Sequence, residues 1–222
     1  MPSIKSHQRI NDILLGPLER PALRWLSAHM PAWVTPDILT LVGVIGAFII
    51  FAGYGLTHVN KAFLWLASFG FLVNWFGDSL DGTVARFRKI ERPKYGYFVD
   101  HSVDSFNELL ILVGLGLSAY MLLEVALLIL AGYFLMSILV FLRTSVTGEF
   151  RLSYGMLGPT EVRVIAVLVN TLIFFFGNPK VTLPFGVATV VDIIGILIAV
   201  ILIAIYVFSS VQEARSLAQL GE

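Results

Sequence analysis

Long apolar segments dominate this chain of 222 residues and limit the folds that are open to it. Hydrophobic residues make up 57% of the sequence, and the mean hydropathy is +0.85. About 20 consecutive apolar residues are enough for a helix to cross the roughly 30 Å hydrocarbon layer of a bilayer. The sequence therefore predicts an all-α integral membrane protein.

Six apolar segments are candidates for membrane crossings. They extend over approximately residues 38–56, 62–75, 105–122, 125–142, 164–176 and 185–208. The second segment can continue as a helix past Trp75, and the fifth can begin near Thr160. We expect a single domain over residues 1–222, with a six-helix bundle at 38–208 and a cytosolic tail at 209–222.

The residues before the first crossing, 1–37, mix charges with apolar side chains at roughly helical spacing. These apolar residues are Ile10, Ile13, Leu14, Leu18, Leu23, Trp25 and Leu26. The stretch does not show the continuous apolar core of a cleavable signal. The pattern favours an amphipathic helix in the membrane interface, with a partly ordered cytosolic tail as the alternative.

Basic residues are distributed unevenly among the predicted loops. Thirteen of the 15 Lys and Arg residues fall on one side of the predicted bundle, and only Lys61 and Lys180 fall on the other. Because cytosolic loops carry the excess of Lys and Arg, both termini are predicted to be cytosolic. The loop between the second and third segments is predicted to be cytosolic as well.

Charge balance and cysteine content exclude several other classes. The formal net charge is zero, so no global field favours binding to nucleic acid. The chain has no cysteine, which excludes a disulfide framework, a thiolate metal site and a cysteine nucleophile.

Four of the seven aspartates lie within residues 77–104, directly after the second apolar segment. Asp78 and Asp81 are three residues apart, and Asp100 and Asp104 are four apart, so each pair projects from one face of a helix. Unit charges about 4 Å apart repel by roughly 4 kcal/mol at an effective dielectric near 20. Four ionised carboxylates therefore need a cation between them or must stay partly protonated. The first option implies a divalent metal site at the mouth of the bundle.

Glycines and one arginine are interleaved with these acids. Gly82 and Gly96 would let a bulky or phosphorylated group approach the backbone without meeting a Cβ atom. Arg86 returns to a similar side of the helix as Asp78, and its planar fork suits phosphate oxygens. Hard oxygen ligands beside a diphosphate predict Mg²⁺ or Mn²⁺, and two such ions would stabilise both oxygens of a phosphoryl displacement. One carboxylate could serve as the base for an incoming hydroxyl.

The pattern D-x-x-D-G-x-x-A-R, followed by G-x-x-x-D-x-x-x-D, resembles the signature of the CDP-alcohol phosphotransferases, integral membrane enzymes of phospholipid synthesis. All eight signature residues are present: Asp78, Asp81, Gly82, Ala85, Arg86, Gly96, Asp100 and Asp104. Nine residues, 87–95, separate the two halves of the pattern, which is at or just past the upper end of the family's spacing. They form a charged loop, where insertion is tolerated.

This resemblance implies a reaction and a role for each signature residue. The implied metal ligands are Asp78, Asp81, Asp100 and Asp104, which would hold two Mg²⁺ or Mn²⁺ ions. The residues expected to line the CDP site are Gly82, Ala85, Arg86 and Gly96. Asp104 is also the implied catalytic base, which deprotonates the acceptor alcohol. The implied reaction transfers a substituted phosphoryl group from a CDP-alcohol to an acceptor alcohol, one of them lipidic, and releases CMP.

Family members have six core helices and commonly dimerise, so a homodimer in contact with membrane lipids is expected.

Several flanking stretches are similar to the choline and ethanolamine phosphotransferase branch of the family. They are residues 24–43, the pair Asp100 and His101, and the stretches 147–151 and 160–163. Against this, the chain is much shorter than the eukaryotic members, and Asp37 stands where many relatives carry Asn. Two pairs of substrates therefore stay open. One is CDP-diacylglycerol with a small polar alcohol, and the other is a CDP-amino-alcohol with a lipid alcohol.

Four further polar residues are candidates for contact with the acceptor or for orienting the metal ligands. Glu108 extends the acidic stripe by one helical step, and His101 is either an acceptor contact or a solvated interfacial histidine. Arg143 and Arg163 border apolar helices and would bind a phosphate on the acceptor. Otherwise they are cytosolic anchors, and Arg163 pairs with Glu161 or with lipid headgroups.

Asn74, Asn170 and Asp192 are polar residues within the apolar segments. Asn74 and Asn170 are predicted interhelical hydrogen-bond donors. Asp192, in the last segment, has no explanation from the sequence.

Two other classes of protein use intramembrane acids or bind lipid. An ion or metal transporter would use the acidic cluster as its pathway, although its acids are expected near the bilayer midplane on interrupted helices. A nonenzymatic lipid-binding scaffold is the third hypothesis.

Overall fold

The computed structural model describes residues 14–147, 158–183 and 186–219. Within these ranges the chain forms seven α-helices, a short 3₁₀ turn and one two-stranded sheet. The helices are α1 (Gly16–His29), α2 (Pro36–Gly55), α3 (Phe63–Phe87), α4 (Pro93–Gly116), α5 (Leu123–Thr147), α6 (Pro159–Phe176) and α7 (Val190–Gln219). The helical class predicted from the apolar segments is confirmed.

Four helical stretches in the described ranges are long and apolar enough to cross a membrane. They are Pro36–His58, Leu123–Val146, Pro159–Phe176 and Val190–Gln219. Helices α3 and α4 have 25 and 24 residues, which is also sufficient length, but both carry charged residues of the acid run. The prediction of six crossings therefore depends on these two helices.

Helices α3 and α6 have the extents that the sequence predicts. Helix α3 continues past Trp75 to Phe87, so Asp78 and Asp81 lie on a membrane-length helix. Helix α6 begins at Pro159, where proline occupies the first turn and loses no helical hydrogen bond.

Helix α1 packs against the bundle through one face. Leu23 and Leu26 contact the buried side chains of α2 and α3, whereas Leu18 and Trp25 are exposed on the opposite face. The placement of this segment as an amphipathic helix in the membrane interface stays a prediction. Ile10, Ile13 and residues 148–157 lie outside the described residues.

Helices α2 and α3 cross with their backbones in contact. A Cβ atom on Gly77 would lie 2.2 Å from the amide nitrogen of Gly43, and one on Gly46 would lie 2.3 Å from the amide nitrogen of Asn74. Small residues at such positions let membrane helices approach closely and gain van der Waals contact. This contact fixes the position of α3 along α2 and therefore the position of its acids.

Buried polar side chains join the helices of the bundle. The Tyr54 hydroxyl of α2 donates to Asn170 of α6 at 3.1 Å, and the Asn170 amide donates to the Ser68 hydroxyl of α3 at 3.2 Å. The Asn74 amide donates to the carbonyl oxygen of Gly43 at 2.9 Å. The predicted interhelical roles of Asn74 and Asn170 are confirmed.

The last apolar segment differs from the prediction at its beginning. Lys180–Leu183 and Gly186–Thr189 pair as antiparallel strands β1 and β2, so the helix starts only at Val190. These strands contain several β-branched residues, which favour extended backbone. Gly186 has a φ of +143°, a conformation that side-chain-bearing residues rarely adopt.

Asp192 lies in the first turn of α7 and is only 1% exposed. Its Oδ2 accepts hydrogen bonds from the amide and the hydroxyl of Thr189, both at 2.8 Å, and its Oδ1 accepts from the Leu122 amide at 2.7 Å. A carboxylate at a helix N-terminus satisfies free amides and complements the helix dipole. Asp192 therefore joins the starts of α5 and α7.

We expect Gly77→Ala to destabilise the protein, because its methyl group would overlap the backbone of α2. The expected loss is about 1–3 kcal/mol of stability, measured as a lower thermal midpoint in detergent. Gly96→Ala is the matched control, since a Cβ atom there meets nothing within 4 Å. Equal midpoints for the two variants would contradict the close contact of α2 and α3.

Candidate metal centre

Asp78 forms an ion pair with α6. Its Oδ2 accepts from Nη2 of Arg163 at 2.7 Å, and Nε of Arg163 donates to Oδ1 of Asn74 at 2.8 Å. Arg163 therefore bonds to Asp78 and not to Glu161, the partner considered from the sequence. The third nitrogen, Nη1, is buried without a hydrogen-bond partner among the described residues.

Asp81 is anchored to α2 by a neutral donor. Its Oδ2 accepts from the Thr40 hydroxyl at 2.6 Å, and its Oδ1 accepts from the Gly82 amide. Two hydrogen bonds on different oxygens restrict rotation of the carboxylate. Thr40 is not apparent from the sequence as a site residue, although its spacing of three from Gly43 puts it on the helix face that meets α3.

Asp100, His101 and Asp104 are neighbours on α4. A carboxylate oxygen of each aspartate and a ring nitrogen of His101 all lie within 4.8 Å of one another, close enough to hold one metal ion. The His101 ring also contacts the rings of Tyr97 and Phe141, with centroids at 4.4 Å and 5.5 Å. These rings limit the orientations that the imidazole can adopt.

The acids of α3 and α4 face each other. The carboxyl groups of Asp78 and Asp104 are within hydrogen-bonding reach, and Asp78 and Asp100 both act electrostatically on Asp81 and Asp104. Arg163 supplies one positive charge next to these four carboxylates. Carboxylate oxygens are the ligands that Mg²⁺ and Mn²⁺ prefer, so this donor set fits the predicted ions.

The signature residues expected to contact CDP lie at the same end of the two helices. Arg86 folds back along α3: its Nη2 donates to Thr83 Oγ1 at 3.2 Å, and its Nη1 would be 3.2 Å from a Cβ atom on Gly82. Ala85 lies on the same last turns of α3. Gly96 is in the first turn of α4, and the space beside its Cα is open.

Arg88, which the sequence did not single out, binds the linker between α1 and α2. Its guanidinium donates to the carbonyl oxygens of Val34 at 2.6 Å, Pro31 at 2.8 Å and Met30 at 3.0 Å. The five donors of an arginine fork can bind several carbonyl oxygens at once. The end of the acid-bearing helix is thereby tied to the N-terminal part of the chain.

Arg92 makes a second contact between the connection from α3 to α4 and the N-terminal part of the bundle. It forms an ion pair with Asp37 at the start of α2, and its guanidinium lies 3.9 Å from the ring centroid of Tyr95. Both members of the pair are about half exposed, so this bond is weaker than the Arg88 contacts.

The remaining candidates lie in different environments. Arg143 forms an ion pair with Glu213 of α7 at 3.3 Å, which joins α5 to α7. Glu108 lies close enough to Arg163 and Asp78 for their charges to act on it. The structure therefore groups Glu108 and Arg163 with the acids and gives Arg143 a partner on another helix.

The chain belongs to the CDP-alcohol phosphatidyltransferase family, whose sequence profile matches residues 33–211. It is 35% identical to a phosphatidylinositol phosphate synthase of Cutibacterium acnes over 91 residues, which is 40% of this chain and 41% of the relative. It is 27% identical to cholinephosphotransferase 1 of Danio rerio over 165 residues, or 69% of this chain and 41% of the relative. The chain thus spans less than half of the length of these two relatives.

The fold is similar to that of a solved structure, the phosphatidylinositol phosphate synthase of Mycobacterium tuberculosis in complex with manganese and citrate. The TM-score is 0.54 at 23% sequence identity, and the match covers 84% of each chain. At this identity the likeness concerns the fold alone.

Replacing Arg88 with Gln is expected to lower the thermal midpoint. Carbonyl oxygens of the α1–α2 linker would lose a charged donor, at a cost of about 1–3 kcal/mol. Lys89→Gln, a neutralisation at the next residue, which is exposed, is the control and is expected to behave like the unmodified protein. If the thermal midpoint of Arg88→Gln equals that of the control, the hydrogen bonds from Arg88 to the α1–α2 linker do not stabilise the protein.

Proposed function

We propose that the protein is a metal-dependent CDP-alcohol phosphotransferase of phospholipid synthesis. The observation that carries the proposal is the meeting of two carboxylate pairs, one on α3 and one on α4, beside Arg86 and the open backbone at Gly96. An anionic diphosphate can enter such a site only with cations that balance the acids. Membership of the family supports the same assignment.

Two Mg²⁺ or Mn²⁺ ions, held by Asp78, Asp81, Asp100 and Asp104, would neutralise the diphosphate and stabilise the leaving CMP. Thr40 and Arg163 keep the carboxylates of Asp81 and Asp78 in fixed orientations. Gly82, Ala85 and Gly96 leave room for the nucleotide next to the backbone, and Arg86 donates to phosphate oxygens.

Asp104 acts as the general base. It accepts the proton of the acceptor hydroxyl, whose oxygen then forms a bond to the β-phosphorus of the CDP-alcohol. The bond between that phosphorus and the bridging oxygen breaks, and CMP leaves with the electron pair. Asp104 suits this role because it contacts Asp78 across the gap between the helices and so faces the reacting groups.

A cavity between α4 and α5 is the candidate acceptor site. Its volume is about 260 Å³, and it is lined by Tyr97, Phe98, His101, Ser102, Ser105 and Phe141. His101 belongs both to this cavity and to the acid cluster, so it would contact the acceptor hydroxyl. Arg163, whose Nη1 has no hydrogen-bond partner among the described residues, is the candidate donor to a phosphate on the acceptor once the site opens to admit it, and Glu108 lies near enough for its charge to act on this guanidinium. Arg143 is a weaker candidate because Glu213 holds it.

The two curated relatives are named for different headgroups, so both substrate directions stay within the proposal. One direction is CDP-diacylglycerol with a small polar alcohol, and the other is a CDP-amino-alcohol with a lipid alcohol. Lipid products from the purified protein, supplied separately with each CDP-alcohol and a panel of acceptors, distinguish the two.

We also propose six crossings, with α3 and α4 added to the four apolar spans, and a homodimer. Both termini and the metal centre are then cytosolic, because the basic residues are concentrated on that side. A transporter would need acids near the bilayer midplane. Here they lie beside the connection from α3 to α4, and no observation favours transport or a nonenzymatic scaffold.

Asp104→Asn is expected to lower kcat for CMP release by about 10²–10⁴-fold, because an amide cannot accept the proton. Asp81→Asn is expected to weaken metal activation by about 10–100-fold. The measurement is CMP formed by purified protein at increasing Mg²⁺ or Mn²⁺.

Asp37→Asn is the matched control for this experiment, since the same change is made at the same end of the bundle but outside the acid cluster. Its exposed ion pair contributes less than about 1 kcal/mol, so activity is expected to persist. Full activity in Asp81→Asn or Asp104→Asn would remove the role assigned to that residue.

The orientation can be measured because the chain has no cysteine of its own. Lys180→Cys is expected to react with a membrane-impermeant maleimide in intact cells, and Lys89→Cys only after permeabilisation. The unsubstituted protein is the background control. The opposite labelling pattern would place the acid run on the outer face and overturn the proposed orientation.

A further inference from the structure

Glu19 of α1 holds two other helices through one oxygen atom. Its Oε1 accepts hydrogen bonds from Trp75 Nε1 at 2.8 Å and Ser79 Oγ at 3.2 Å, both on α3. The same atom accepts from Thr160 Oγ1, in the first turn of α6, at 2.7 Å. Hydrogen bonds to an ionised acceptor are roughly twice as strong as neutral ones, so this is a firm junction of three helices.

Glu161 makes the reciprocal contact from α6 to α1. Its Oε1 accepts from the Leu15 amide at 2.7 Å, immediately before α1, and its Oε2 accepts from the Gly158 amide at 2.9 Å. The side chain is buried, with 3% of the residue exposed. Each of the two helices therefore carries a carboxylate that binds a residue at the start of the other helix.

The junction lies next to the acid cluster. Ser79 follows Asp78 in sequence, and Thr160 precedes Arg163 by three residues, about one helical turn. Arg163 bonds to both Asp78 and Asn74, so the position of the first turn of α6 decides whether its guanidinium reaches them. Helix α6 packs mainly on α3 among the described helices.

We propose that Glu19 is a positioning residue for the metal centre. It holds the first turn of α6 against α3, keeps Arg163 on Asp78, and so keeps the Asp78 carboxylate turned towards Asp104. The inference rests on the metal-binding role proposed for Asp78. Hydrogen-bonded partners of metal-binding carboxylates typically set metal affinity by about 10–100-fold, and Glu19 acts through such a partner.

The experiment measures Mn²⁺ binding to the purified full-length chain, from the electron paramagnetic resonance signal of the free ion, without substrate. Glu19→Ala and Thr160→Val are each expected to weaken Mn²⁺ binding by about 10-fold. Thr160→Ser, which keeps the hydroxyl, is expected to restore the affinity. The double variant is expected to bind no more weakly than either single variant, because both changes remove the same contact.

A matched variant separates positioning from general stability. Glu91→Ala removes an exposed carboxylate at the same end of the bundle and leaves the junction unchanged. It is expected to bind Mn²⁺ like the unmodified protein. Thermal midpoints of all variants are recorded, and if Glu19→Ala does not fold, the Thr160→Val and Thr160→Ser pair tests the proposal.

Unchanged or tighter Mn²⁺ binding in Thr160→Val, or additive losses in the double variant, would overturn the positioning role. A failure of the unmodified protein to bind Mn²⁺ would overturn the metal centre together with this inference. A protein that binds Mn²⁺ but releases no CMP would contradict the proposed reaction and leave the role of Glu19 supported. The failure of the inference and that of the proposed function are thus distinguishable.

Discussion

The contact between the backbones of α2 and α3 is the constraint on which the acid site depends. A hydrogen bond from a threonine side chain spans only about 3 Å, so Thr40 can reach Asp81 only if the two helices nearly touch. Gly46 and Gly77 permit that approach, because a Cβ atom on either residue would overlap the backbone of the other helix. The same approach brings the Gly43 carbonyl oxygen to the amide of Asn74. The packing at two glycines therefore determines the orientation of the Asp81 carboxylate.

Electrostatic balance is the second constraint, and it links α6 to the same site. Neutral donors hold Asp81, whereas Asp78 is held by the cation Arg163. One guanidinium next to four carboxylates leaves a net negative charge, and a pair of like charges about 4 Å apart costs roughly 4 kcal/mol at an effective dielectric near 20. In the proposed site, divalent cations would relieve this repulsion and allow a diphosphate to bind. Asn74 contributes to both constraints, since it bonds to α2 through its nitrogen and to Arg163 through its oxygen.

Local patterns in the sequence predicted the helices and the pairs of acids on them, because helical spacing alone determines which side chains share a face. They also predicted the continuation of α3 and the start of α6. They did not predict the partner of Arg163, because Glu161 is its neighbour in sequence, whereas Asp78 is 85 residues away. Asp192 and the hairpin before α7 were missed for a similar reason. The first depends on a long-range bond to Leu122, and the second depends on a turn within a segment whose apolar residues also suit a helix.

The nine residues between Arg86 and Gly96 were interpreted from the sequence as a loop that tolerates insertion. In the structure most of them are constrained. Lys89 adopts a left-handed conformation, with a φ of 57°, just after the end of α3. Arg88 binds the segment before α2, and Arg92 binds Asp37 in the first turn of α2. Only residues 88–92 connect the two helices, and two of these five are the tying arginines. A shorter connection would have to give up one of those ties. These contacts explain the spacing of the signature in this chain. The residues that separate the two halves of the acid site also bind the linker between α1 and α2 and the first turn of α2.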